Sequence, residues 1–186
     1  MQYLESLYKQ LVYYKQLAEK AMKQLAEEQL FWQYNEESNS PAVLVKHLAG
    51  NMRSRFTDFL TSDGEKPWRD RDGEFVNTYE NADAMWADWN SGWAILLDTV
   101  SALREEDLQR IVYIRNEGHT VVEALNRQLA HYPYHIGQIV FIAKMLKNTA
   151  WNTLSIARNA SAKYNTGKFS QEKGIRHFTD EWIDQR

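Results

Sequence analysis

The sequence predicts an all-α protein: an antiparallel four-helix bundle with a long crossover loop, a short hairpin ahead of the last bundle helix and a C-terminal extension. Three observations carry this. Four stretches of roughly 20 to 28 residues place apolar side chains at three- and four-residue steps, the period of a helix with one buried face. No alternation of strands with helices competes with them. The composition, 44% hydrophobic and 25% charged with only 8 Gly and 3 Pro in 186 residues, belongs to a chain able to bury a sizeable core.

The first helix runs from Tyr3 to about Glu28, with Leu4, Leu7, Leu11, Tyr14, Ala18, Ala21 and Leu25 on one face. After a polar stretch, Ser40-Pro41 offers an N-cap followed by proline at the first helical position, where its missing N–H costs nothing; a second helix starts there and reaches about Leu60. Residues Thr61 to Glu80 hold two Asp-Gly steps, a proline and dense charge, which is turn chemistry over a long connection and a candidate lid. Asn81 caps a third helix whose inner face carries Met85, Trp86, Trp89, Trp93, Leu96 and Val100, so the three tryptophans are expected to be largely buried. Alternation over Ile111 to Ile114 ahead of Asn-Glu-Gly reads as a short hairpin. Thr120 and Glu123 have the capping-box spacing and open a fourth helix that extends to about Lys147. Residues 1–148 thus form the bundle. Residues 149–186 have weak periodicity and form an extension draped over the bundle or over a partner, ending in a short helical turn at Thr179 to Ile183.

The charge balance narrows the function. With 22 Lys and Arg against 25 Asp and Glu there is no basic footprint for a phosphate backbone, so nucleic acid is not an expected partner. The absence of Cys removes disulfides, thiolate metal sites, iron–sulfur clusters and a Cys nucleophile. The first sixteen residues mix acid and lysine with apolar residues and lack a signal-peptide apolar region, and no apolar run approaches the ~20 residues of a membrane span. A cytoplasmic protein with no membrane partner is expected.

The candidate chemistry is in the histidines. His131 and His135 are an i,i+4 pair in H-Y-P-Y-H, so both imidazoles leave one face of the fourth helix about 6 Å apart along its axis. That face also carries Ala124, Gln128 and Gln138, next to Ile139 and Ile142, and is expected to look inward. On the second helix, His47 lies between Leu44 and Leu48 on the stripe that faces the core, with Asn51 one turn on. If the two helices are neighbours, His47, His131 and His135 can bind one divalent cation and leave a fourth position for water or substrate, the catalytic rather than the structural pattern. The competing reading makes them ordinary core histidines bonded to carbonyls, Asn or Tyr. Pro133 between the pair implies either a kink that re-aims both rings or a fresh helical segment, and Gly137 would admit close approach of another backbone.

The stretches SPAVLVKHLAGN and H-Y-P-Y-H-I-G-Q-I, in this order and with GNMRSRFTDFLTSDGEKPWRDRDGEF between them, resemble the DinB-like superfamily over residues 1 to 148, with the tail as an extension of one branch. The resemblance implies a four-helix bundle, commonly a homodimer, with a three-histidine metal site carried here by His47, His131 and His135. Members of that superfamily include metal-dependent thiol transferases that act with bacillithiol and a mycothiol-dependent isomerase. Their thiol-binding residues have no counterparts that transfer to this chain.

The expected function is therefore that of a metal-dependent enzyme in which Zn2+ or Ni2+ activates a thiol or water toward a small-molecule substrate, a low-molecular-weight thiol being the first candidate. Asn51 and Gln138, one turn from the ligands, are candidate orienters of the imidazoles. Arg53 and Arg55 are candidates for a substrate carboxylate, within a mixed-sign group that includes Arg69, Asp70, Arg71 and Asp72. No catalytic acid or base is singled out. His119 at a turn is a candidate proton shuttle, and His177 in the tail is expected to do nothing chemical. The alternatives are a metal-dependent hydrolase and a non-catalytic dimeric module with structural histidines.

Overall fold

The computed structural model describes residues 2–183 and is mostly helical. Six helices are present among the described residues: α1 (Tyr3–Met22), α2 (Glu27–Leu30), α3 (Pro41–Phe56), α4 (Ala82–Ala102), α5 (Val121–Lys147) and α6 (Ser161–Phe169). The strands β1 (Ile111–Ile114) and β2 (Glu117–Thr120) pair as one antiparallel hairpin, with Ile114 opposite Glu117. Arg115 and Asn116 between them both have positive φ, 57° and 62°, the backbone of a two-residue type I′ turn.

The four long helices each pack on two others: α3 on α4 and α5, α1 on α5 and α4. Between them lies a single apolar core in which Trp89, Trp93, Leu44, Leu48, Met52, Tyr132, Ile136 and Ile139 are wholly enclosed. Trp86 is only partly buried and packs at the edge of that core. Trp89 reaches a polar partner through its ring N–H, which donates to Glu19 Oε1 at 3.0 Å. The helix starts follow their sequence signals. Ser40, Asn81 and Thr120 side chains accept from the N–H of Val43, Ala84 and Glu123, and Glu123 Oε2 in turn accepts from the Thr120 N–H at 2.8 Å.

Two helix ends fall short of the expectation. α1 stops at Met22 rather than near Glu28, because the chain turns over residues 23–26 and re-enters a helix as α2. Leu25 still packs on the core from the turn, which is why the periodicity runs through the break. α3 ends at Phe56 rather than near Leu60. Asp58 adopts φ 50°, which breaks the helical run, and its carbonyl closes the next turn by accepting from the N–H of Thr61 and Ser62 at 3.0 Å each.

The long connection after α3 is pinned rather than loose. Lys46 Nζ donates to the carbonyls of Gly73 and Val76 and to Thr78 Oγ1, while Ser54 Oγ donates to the Gly64 carbonyl at 2.6 Å. Asp63 clamps the same loop to the hairpin by accepting from the backbone N–H of Arg115 and Asn116 at 2.9 and 2.8 Å, and from Glu65. Burial would push this carboxyl up, but the backbone donors outweigh it and hold it below the ordinary aspartate value. The stability it contributes is therefore fully present above its unfolded value of about 3.9 and is lost as pH falls through the lower folded value. Asp63→Asn is expected to flatten the acid limb of the stability–pH curve and to speed amide exchange at Arg115 and Asn116; unchanged exchange would refute the clamp.

The tail contains α6, which the weak apolar pattern of Ser161–Phe169 did not signal; none of its residues is buried. Beyond it the chain closes a turn, with Trp182 and Ile183 N–H donating to the Thr179 carbonyl, and docks on α1. The His177 ring sits 3.0 Å from Ser6 Oγ and 2.6 Å from Thr179 Oγ1, Asp180 pairs with Lys9 at 3.0 Å, and Lys20 donates to the Trp182 carbonyl. His177 thus anchors the extension. Among the described residues no helix is long and apolar enough to cross a membrane.

Candidate metal centre

Of the sixteen residues of α3 only Lys46 and Arg53 are not buried. The helix runs through the interior, so the line His47, Asn51, Arg55, at four-residue steps, is a polar stripe inside the protein. α5 presents the matching stripe Gln128, His131, His135. The two face each other across a cavity of about 300 Å3.

His47, His131 and His135 meet at the floor of that cavity, with one ring nitrogen from each within 4.8 Å of the others. His131 Nε2 lies 3.2 Å from His47 Nε2 and 3.1 Å from His135 Nε2. Three imidazoles on one tetrahedral ion at 2.0–2.1 Å would hold their nitrogens about 3.3–3.4 Å apart, so the spacing is already close to that of a ligand set. α5 runs unbroken through Pro133, and both of its histidines stay on one face.

The protonation pattern fits the same chemistry. His47 Nδ1 is 2.9 Å from Glu74 Oε2; a carboxylate only accepts, so Nδ1 carries the hydrogen and Nε2 is the atom that faces the meeting point. His135 Nδ1 donates to Gln138 Oε1 at 3.3 Å, and its Nε2 faces the same point. Burial pushes the His131 pKa down to about 3, with the neighbouring His135 and His47 adding to it. Burial and then His47 bring His135 to about 4 against the opposing bond from Gln138. Both rings are neutral at pH 7, the form a metal requires. Three ring nitrogens gathered at one point are the arrangement that a single cation between them would hold. The donor set therefore fits a divalent metal ion.

Glu74 and Arg69, from the crossing loop, complete the support. Arg69 forks onto Glu74 with Nε to Oε1 at 2.7 Å and Nη2 to Oε2 at 2.9 Å, and reaches Glu65 with Nη1 at 3.2 Å. Burial would raise the Glu74 carboxyl, but the bonds from His47 and Arg69 hold it below the usual value, so it is ionised. Gly50, one turn past His47, makes the room: a Cβ there would lie 2.4 Å from Glu74 Oε1. Phe75 stacks on the His47 ring with centroids 4.6 Å apart. This carboxylate–histidine arrangement fixes ring orientation and makes the free nitrogen a better donor.

The remaining sequence candidates divide. Gln138 touches a histidine. Asn51 lines the cavity but spends its Oδ1 on the Tyr132 hydroxyl at 3.1 Å rather than on an imidazole. Arg55 lines the cavity and donates to Glu65 at 3.0 Å and to the Gly64 carbonyl. Arg53 is on another side of α3, paired with Asp88 of α4, and does not line the cavity. The His119 Nε2 is buried without a partner. A Cβ on Gly137 would meet nothing within 4 Å, so no backbone of this chain approaches there. Sequence reasoning missed Glu74, Arg127 and Phe75 and placed Arg69 only in a mixed-sign group, without its role beside Glu74; for Glu74 the signal was Gly50, three residues after a core histidine.

A family model described as a protein of unknown function (DUF1572) matches residues 1–160. No curated protein and no solved structure matches the chain.

Proposed function

The chain belongs to the DUF1572 family, and on that premise we propose that it is a metal-dependent enzyme of the DinB-like type, in which α1, α3, α4 and α5 form a four-helix bundle around one divalent ion held by His47, His131 and His135. The observation that carries this reading is the meeting of three imidazole Nε2 atoms, two contacts of which are 3.1 and 3.2 Å, at a cavity lined mostly by polar residues. The closed ring of contacts among the four long helices supports the bundle.

A divalent ion, Zn2+ or Ni2+, held by His47, His131 and His135 would supply a Lewis acid able to lower the pKa of a thiol or water. The chain's own work is to orient. Glu74 fixes the tautomer and plane of His47, Arg69 holds Glu74 in place, and Gln138 does for His135 what Glu74 does for His47. The first reading of the reaction is transfer of a low-molecular-weight thiol of the bacillithiol kind to an electrophile. Hydrolysis is the second, favoured by a cavity lined mostly by charged and polar side chains. Homodimeric assembly in the cytoplasm belongs to the same proposal.

Metal analysis of untagged protein is expected to return close to one divalent ion per chain. Metal-loaded protein given a small thiol and an electrophile is then expected to turn over faster than the free ion does. Trace metal in the parent would leave a non-catalytic module, and metal without thiol turnover would move the reading to hydrolysis. Light scattering at micromolar concentration giving the monomer mass of 21.9 kDa would remove the dimer.

A further inference from the structure

We propose that the cavity above the histidines is an anion subsite, built to hold the carboxylate or phosphate of a small substrate that also presents a hydrogen-bond donor. The inference deepens the metalloenzyme reading by naming the substrate class, and it rests on that reading for the subsite's role in turnover.

The wall of the cavity carries five arginines, Arg55, Arg69, Arg71, Arg115 and Arg127, and among the described residues no Asp or Glu lines it. Behind the wall, one Glu65 oxygen is shared by Arg55, Arg69 and Arg115 at 3.0, 3.2 and 3.2 Å, and Glu74 is taken by Arg69 and His47. Five guanidiniums against Glu65, Glu74 and the solvent-exposed Asp72 leave two positive charges in excess, on a chain whose net formal charge is −3. Positive charge gathered into one concave site of an acidic protein concentrates anions there.

Two of the forks are open. Arg127 has no hydrogen-bond or ion-pair partner among the described residues. Arg71 lies over the Phe75 ring at 5.5 Å and meets only Asp72, at 4.0 Å and fully in solvent. Planar guanidiniums suit the oxygens of carboxylates and phosphates.

The deeper wall adds a second requirement. Gln128 is 4% exposed, and its Oε1 is buried with no donor; Arg55 is 6% exposed, and its Nε has no acceptor. Buried polar atoms in native proteins are normally paired. A ligand that places an oxyanion among the arginines and a hydroxyl or N–H against Gln128 would satisfy both. At about 300 Å3 the cavity admits a molecule with one such anionic group, at the small end of ligand pockets.

Titration calorimetry of the full-length protein tests this with glycerol 3-phosphate, glycerate and neutral glycerol, the first two separating phosphate from carboxylate recognition. At least one anion is expected to bind and glycerol not to. Arg71→Ala and Arg127→Ala, both at exposed positions, should each weaken binding about tenfold or more while circular dichroism and metal content stay at the parental level. Gln128→Leu should weaken glycerol 3-phosphate but leave propyl phosphate, which lacks the hydroxyls, as in the parent. Arginine variants that titrate like the parent, or glycerol binding as well as the anions, would overturn the subsite. Arginine-dependent anion binding by a parent that holds no metal would support the subsite and refute the metalloenzyme; a metal-loaded parent that binds no anion would do the reverse.

Discussion

His131→Ala is expected to strip the protein of its divalent ion, from close to one per chain to trace. The Nε2 of His131 is the atom that lies 3.2 Å from one partner nitrogen and 3.1 Å from the other. Removing it leaves two imidazoles from different helices, too few for a site that otherwise has three protein ligands and one open position. The same loss is expected for His47→Ala and His135→Ala. The support shell predicts a graded series below this. Glu74→Ala leaves the His47 ring unoriented and is expected to lower metal affinity about 10- to 100-fold. Glu74→Gln keeps an oxygen for Nδ1 but loses the charge and half of the Arg69 fork, and should fall between Glu74→Ala and the parent. Gly50→Ala, whose Cβ would lie 2.4 Å from Glu74 Oε1, should behave as a Glu74 variant although it touches no imidazole. Competition with a chelator reads all of these on one scale. Equal metal retention across the series would show that the histidines do not hold the ion.

Gly92→Val is expected to be the most destabilising single substitution away from the site. A Cβ at Gly92 would lie 2.8 Å from the Ala49 Cα and 3.2 Å from its Cβ, so α3 and α4 touch backbone to backbone. Nothing nearby can yield, because Ala49 and Trp93 are both fully buried. Overpacking of this kind costs about 1–3 kcal/mol, and at roughly 2–4 °C per kcal/mol for a chain of this size the melting temperature should fall by roughly 2–12 °C. Gly137 is the internal contrast. It too is inside a helix, but open space surrounds the position of its Cβ, so Gly137→Ala should stabilise by about 0.5–1 kcal/mol through backbone entropy alone. Thermal unfolding of the two variants side by side checks both; a Gly92→Val melting temperature equal to the parental one would refute the close helix approach.

Much of the helical pattern could be read in advance because each signal was local. The caps at Ser40, Asn81 and Thr120 sit within four residues of the groups they satisfy, and Thr120–Glu123 closes its box inside one turn. The hairpin was legible from the local alternation over Ile111–Ile114, but its turn falls on Arg115-Asn116, and Glu117 and Gly118 of the expected Asn-Glu-Gly turn belong to β2. The helix ends at Met22 and Phe56 were not, since Leu25 continues the apolar period through the break and Asp58 takes a left-handed conformation that no residue type announces. The α6 segment was missed because it buries nothing and so leaves no apolar stripe. Arg53 and Arg55 show the limit at the site. Two residues apart on a helix, they point to different sides, one to Asp88 and the other to the cavity, and their similar residue type and nearness to His47 in the chain did not separate them.

By itself the sequence determined a helical chain without cysteine chemistry and with inward histidines on two helices, because period, capping and composition are properties of neighbouring residues. Only the tertiary structure decided that the three Nε2 atoms meet, that Glu74 from a loop 27 residues beyond His47 holds that ring through its Nδ1, and that five arginines crowd the same cavity. Those are contacts across long chain separations, fixed by which helices pack together and by how closely Gly50 and Gly92 let backbone and carboxylate approach, and no spacing along the chain encodes such distances.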